Sequence, residues 1–182
     1  SVLNTATFEK ALEDAKADKD GKKTIAVTVP AVKDATSYTQ VLPADAVTSS
    51  RLTHTVQIKT ELATVSLPSN TLQRASQKTV EVKVSQIDAK SGVKIDLLVD
   101  GKAVQSLDPS QSIAVQVPYA PTAQEAQDPE HIVVLRVDAK GNQYPVYSGK
   151  YNAGTKEVQF STNNFDTYVV QYVKKTFSDI NN

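Results

Sequence analysis

The chain has no cysteine, no methionine and no tryptophan, and only 2 histidines in 182 residues. The missing cysteines exclude disulfide scaffolds, thiolate zinc sites and cysteine nucleophiles together. Neither charge is in excess, since 20 basic and 20 acidic residues leave a formal net charge of +0. A nucleic-acid binder carries a basic surplus that displaces counterions from phosphates, so nucleic acid is not an expected partner. No apolar run approaches the ~18–20 residues that span a bilayer, and no charged-then-apolar leader opens the chain, so membrane insertion is not expected either. At this length a chain buries roughly two thirds of its unfolded surface, enough to fold without metal or crosslink. The first residue is Ser1 rather than methionine. The expectation is therefore a piece, or a processed product, of a longer protein.

What is present is alternation. The N-terminal stretch alone has helical spacing: Phe8, Ala11, Leu12 and Ala15 fall on one face, Thr7 is a candidate N-cap, and Asp20-Gly21 is a stop. This predicts a helix over about 7–19, with residues 1–22 packed on the body that follows. Lys16, Lys19, Lys22 and Lys23 then lie at its negative end. After Gly21 the period falls to two. It recurs at 24–29, 54–59, 79–84, 93–97 and 112–117, each run setting β-branched residues on one face and polar ones on the other. Further strands are read at 132–137, 144–147, 157–161 and 168–173, with hairpin turns at Asp100-Gly101, Lys140-Gly141-Asn142 and Ala153-Gly154. Short strands at this spacing, with 24 Val and 18 Thr, predict a mainly β protein: an antiparallel β-sandwich over 23–175 with one N-terminal α-helix. Two look-alike stretches, Val41 to Val47 and Ser66 to Leu72, each end a strand at Leu-Pro and place an apolar residue five positions after the Leu. They read as two strand-then-turn corners. The proline-bearing stretch 118–129 reads as a loop between two sheets, or a boundary between two packed halves.

Candidate chemistry is sparse. A triad needs a base, and His54 and His131 are the candidates; both begin strands, and no Gly-x-Ser-x-Gly elbow accompanies them. Both are expected as strand-edge residues near the surface. Asp18-Lys19-Asp20-Gly21 matches part of a calcium loop, but the first and twelfth positions would be Lys16 and Val27, which excludes an EF-hand. A glycosidase needs two facing carboxylates; Glu61 and Asp96 come nearest, and each reads as a solvent-face residue. No Lys–Asn spacing singles out a self-made isopeptide crosslink. No catalytic residue, metal ligand or cofactor is assigned. Sugar binding without catalysis is the more open reading. Tyr144, Tyr147 and Tyr151 are expected to cluster around one hairpin, with Tyr119 on the proline loop, as a stacking platform; the competing reading is half-buried sheet packing.

The final residues, Thr176-Phe177-Ser178-Asp179-Ile180-Asn181-Asn182, resemble the opening of an S-layer homology domain, whose first motif runs Phe-x-Asp-Val/Ile. The preceding Gly149 to Asn152, Val158 to Thr162 and Asn164 to Val170 resemble the β-hairpin that commonly precedes such repeats. So does the run from Val56 to Leu72. The resemblance spans roughly 5–180 and is loose outside the tail. It implies a non-catalytic accessory module of a secreted, S-layer-anchored Gram-positive cell-surface protein or polysaccharide-degrading enzyme, with 176–182 as the truncated start of the anchor. The expected partners are neighbouring domains of the same chain and a polysaccharide, with the module itself a monomer. The alternative expectation is a carbohydrate-binding module, and a third is strand addition at a sheet edge.

Overall fold

The computed structural model describes residues 1–73, 78–88 and 91–174. The tail motif at 176–182 lies outside them.

A single α-helix, α1 (Thr5–Asp14), opens the fold. It begins earlier than Thr7 because Asn4 takes the cap, its side-chain oxygen accepting from the Thr7 N–H at 2.9 Å. It also ends earlier, since Ala15 is already extended and Ala17 bridges to Lys23. The lysines therefore do not form its last turn. Lys23 reaches back from the first strand instead, its Nζ donating to the Leu12 carbonyl at 2.7 Å. The partial calcium motif is a turn, with Asp18 Oδ1 accepting from the Asp20 and Lys22 amides.

Thirteen strands are described: β1 (Lys23–Thr28), β2 (Ser37–Pro43), β3 (His54–Lys59), β4 (Thr64–Pro68), β5 (Thr79–Ser85), β6 (Gly92–Val99), β7 (Lys102–Val104), β8 (Ile113–Pro118), β9 (Ile132–Val137), β10 (Gln143–Pro145), β11 (Lys150–Asn152), β12 (Glu157–Thr162) and β13 (Thr167–Tyr172). They form two packed sheets. Sheet 1 has the order β1-β3-β4-β8-β12-β11; sheet 2 has β10-β9-β13-β6-β5-β2, with β7 paired to β6. The β-sandwich expected from alternation is what forms. One pair departs from the antiparallel rule: β1 and β3 are parallel, because the chain leaves β1 to build β2 in the other sheet before returning. All three hairpin turns stand where glycine predicted them. At β6–β7, Asp100 (φ 48°) and Gly101 (φ 78°) both take the left-handed region that a tight two-residue hairpin demands.

Alternation becomes a core. Val56, Ile58, Val65, Leu67, Val115 and Val158 of sheet 1 face Leu42, Val82, Val84, Ile95, Leu97 and Tyr168 of sheet 2, all buried in one continuous cluster. Burying each such side chain contributes about 1.5–3 kcal/mol. The two Leu-Pro corners meet, the Leu72 amide donating to the Val47 carbonyl at 2.9 Å. The 118–129 loop carries the chain from sheet 1 to sheet 2 and contains a short helix, α2 (Ala123–Gln127), closed by a Thr122–Glu125 capping box.

A sandwich is open along its two sides, and the chain closes both. Between β1 and β2 lies α1, with Phe8 buried against the His54 ring at 5.5 Å. His54 is therefore not near the surface. It is 3% exposed, with Nε2 at 2.8 Å from the Ala46 carbonyl and Nδ1 at 3.0 Å from Thr53 Oγ1. The tautomer that donates from Nε2 and accepts at Nδ1 satisfies both partners. Its polar atoms are spent on holding the corner rather than on chemistry. The opposite side is closed by the crossing from β10 to β11.

Candidate functional site

Residues 143–152 cross from the edge of sheet 2 to the edge of sheet 1. β10 pairs with β9, while β11 pairs with β12, so the stretch is not one hairpin. Three hydrogen bonds pin the crossing. The Val146 amide donates to the Val134 carbonyl at 2.9 Å on the sheet 2 side. On the sheet 1 side Ser148 Oγ donates to the Ser161 carbonyl at 3.1 Å and accepts from its amide at 3.0 Å. Between them Val146 to Gly149 form a β-turn, the Gly149 amide bonding the Val146 carbonyl at 3.0 Å. A Cβ at Gly149 would lie 2.9 Å from Val134 Cγ2, so only glycine lets the turn lie this close to β9.

The crossing distributes the four tyrosines. Tyr147, second residue of the turn, is 93% exposed. Tyr151 lies on the inner side of β11, half-buried against the core, and meets the buried Tyr119 edge to face at 6.0 Å. Burial, reinforced by the Glu125 charge, pushes the Tyr119 hydroxyl pKa up. Tyr144, on β10, lies under the Arg136 guanidinium at 4.4 Å, and its hydroxyl donates to Asp138 Oδ2 at 3.3 Å. Asp138 is held below the ordinary carboxylate value, first by the Asn142 side-chain amide and then by the Asn142 and Lys140 backbone amides. Arg136 also bonds Asp166 at 2.8 Å. The structure thus brings Tyr119 and Tyr151 together as packing, holds Tyr144 in an ionic cluster, and leaves Tyr147 presenting a free ring.

Beside that ring runs an open groove of about 460 Å³, walled by Tyr147, Tyr151 and Lys150 on one side and Pro129 and Glu130 on the other. Next to it the turn before β9 gathers Asp128, Glu130 and His131, whose ligand atoms lie within 4.8 Å of one another. His131 is partly exposed, as expected, but it ends the 3-10 turn ahead of β9 rather than beginning the strand, with its ring edge-on to Tyr172 at 6.0 Å. Its Nδ1 lies 3.8 Å from Glu130 Oε1. One imidazole and two carboxylates are a donor set that a divalent cation accepts. However, Asp128 Oδ2 already accepts from the Tyr172 hydroxyl at 3.2 Å and faces Lys174 Nζ at 3.8 Å. The spacing Asp128-x-Glu130-His131 was the available signal for this grouping; sequence reasoning weighed His131 only as a base.

Fold and site together define a class: a β-sandwich whose rim carries an open groove beside one exposed aromatic ring on a hydrogen-bonded turn. Compared with protein-family models, curated proteins and solved structures, the chain matches none.

Proposed function

We propose that this chain is a non-catalytic accessory module of a secreted, S-layer-anchored cell-surface protein, one that spaces or positions neighbouring domains. The observation that carries the reading is the double closure of the sandwich. α1 with Phe8 seals one side and the pinned crossing seals the other, around a core shared by both sheets. A spacer has to transmit position, and position is transmitted by a body without a soft seam. The membership in an S-layer-anchored protein rests on the resemblance of 176–182 and of the strands before it. Calorimetry tests the mechanical part. A rigid spacer melts in one transition whose calorimetric and van't Hoff enthalpies agree; two separate transitions would mean hinged halves and would sink the reading.

A second reading, carbohydrate binding, is favoured by one specific observation. A ring exposed to 93% is mounted on a turn that three hydrogen bonds and a glycine hold in place, beside an open groove. Sugar rings stack their apolar faces on such a ring, and the backbone beneath it is already held in place, so less ordering remains to be done on binding.

A further inference from the structure

We propose that the outer face of sheet 1 and the groove under Tyr147 form one continuous track for a neutral polysaccharide. The inference rests on the carbohydrate-binding reading and names its surface and ligand class.

The register places the side chains in rows across the strands. Gln57, Ser66, Ala114 and Ser161 stand side by side on the outer face. Thr64, Gln116, Gln159 and Lys150 form the next row. Charge is confined to the borders, at Lys59, Lys150 and Glu157. The same side of sheet 2 is built differently, with Glu81, Lys83, Lys94 and Asp96 at its centre and Lys94 paired to Asp96 at 3.3 Å. Both inner faces had to be apolar to make the core, but nothing in folding required this outer face to lose its charges. Depletion of charge at the centre of a patch is the compositional mark of a surface that becomes covered.

The face is also shaped. A groove of about 370 Å³ runs over Gln57, Ser66, Gln116 and Gln159, and it shares Ser148 and Lys150 with the groove under Tyr147. The two adjoin at these residues, on the pinned crossing. From β3 to β11 the track crosses four strand spacings, about 19 Å, the reach of a short run of linked sugar rings. The chemistry fits an uncharged glycan. Sugar hydroxyls donate and accept, and so do glutamine amides and serine or threonine hydroxyls. Covering the centre of this face meets no charge, the track's ions being Lys150 at the junction of the two grooves and Glu130 on the far wall, whereas covering sheet 2 would bury a charged centre. Tyr147 supplies the stacking contact at one end, and the amide rows supply hydrogen bonds along the rest.

The test is native affinity electrophoresis of the chain through gels containing soluble neutral glucan, xylan or mannan, with polygalacturonate as the charged comparison. Three proteins are run: wild type, Tyr147→Ala, and the double variant Gln116→Ala/Gln159→Ala. Circular dichroism and the melting temperature establish that each is folded. The expected result is retardation by at least one neutral polymer, weakened about tenfold or more in each variant, as for removal of an interface anchor. Retardation that Tyr147→Ala abolishes but the double variant leaves intact would keep the carbohydrate reading and overturn the sheet 1 track. Retardation by polygalacturonate alone, lost in salt, would overturn the neutral ligand class. No retardation by any of the polymers would overturn the track and the carbohydrate reading together.

Discussion

The two outer faces of this sandwich differ far more than its two inner ones. Inside, both sheets present valine, isoleucine and leucine, because each must bury an apolar face against the other. Outside, sheet 2 carries charges over β5 and β6. It also carries apolar side chains over β9, where Val133, Leu135 and Val137 stand half-buried beside Val169 of β13. Sheet 1 carries neutral amides and hydroxyls in rows. The lesson concerns where information about use is kept. Core chemistry is dictated by folding and is nearly the same in every sandwich. The solvent faces are left free by folding, so a consistent bias there reports what the face meets.

The largest expected effects come from the faces that must agree. Leu67→Ala in sheet 1 and Leu97→Ala in sheet 2, each at most 1% exposed, should each lose about 2–5 kcal/mol in urea unfolding. A loss confined to one sheet would mean that the sheets are not one cooperative core.

Tyr168 comes next. It is buried between the sheets, its hydroxyl bonded to Thr162 at 2.6 Å, and burial pushes its pKa up to about 12. In the unfolded chain the phenol ionises near its ordinary value of 10.0. The folded state therefore holds the proton that the unfolded state releases. Stability is intact below pH 10 and falls as pH rises from 10 to about 12, by about 2–3 kcal/mol. Denaturant midpoints measured across that range in wild type and Tyr168→Phe check this; an equal slope in both would remove Tyr168 from the account.

Gln40 is the polar breach of the inner face. It is 1% exposed, its amide nitrogen donates to the Val41 carbonyl at 2.8 Å, and its Oε1 has no partner among the described residues. Gln40→Leu should stabilise by about 1 kcal/mol, because an unpaired buried acceptor is replaced by apolar volume. A higher melting temperature supports this, and a lower one means that the carbonyl group does structural work.

Smallest of all are the outer faces. Gln116→Ala and Lys83→Ala should each change stability by less than about 0.5 kcal/mol. The comparison sharpens if the first nevertheless weakens polysaccharide retention while the second does not.

Much of the fold was legible in the chain. Period-two runs located the long strands, and Gly101, Gly141 and Gly154 marked the three hairpins because each breaks alternation at a turn. β2 and β4 were visible only at their Leu-Pro ends. Of the three-residue strands, β10 was read at 144–147, while β7 and β11 were marked by the hairpin turns beside them and not by alternation, three residues being too few to establish a period. His54 was misplaced because adjacency in sequence does not reveal a helix docking over a strand end: Phe8 covers it from 46 positions away. The single hairpin expected for the tyrosines failed for the same reason, although Tyr147 and Tyr151 do share one groove. Residues 144, 147 and 151 are close in sequence, but the chain changes sheets between them.

Composition and alternation by themselves determined the class, a charge-balanced, cysteine-free β-sandwich with one N-terminal helix, because a residue's preference for an apolar or polar side is local and repeats every second position. Which strands became neighbours, which face was left without charge, and which of four tyrosines kept its ring in water were decided only in three dimensions. Those outcomes depend on register and on closing the open sides of the sandwich, and both are set by contacts between segments far apart in the chain.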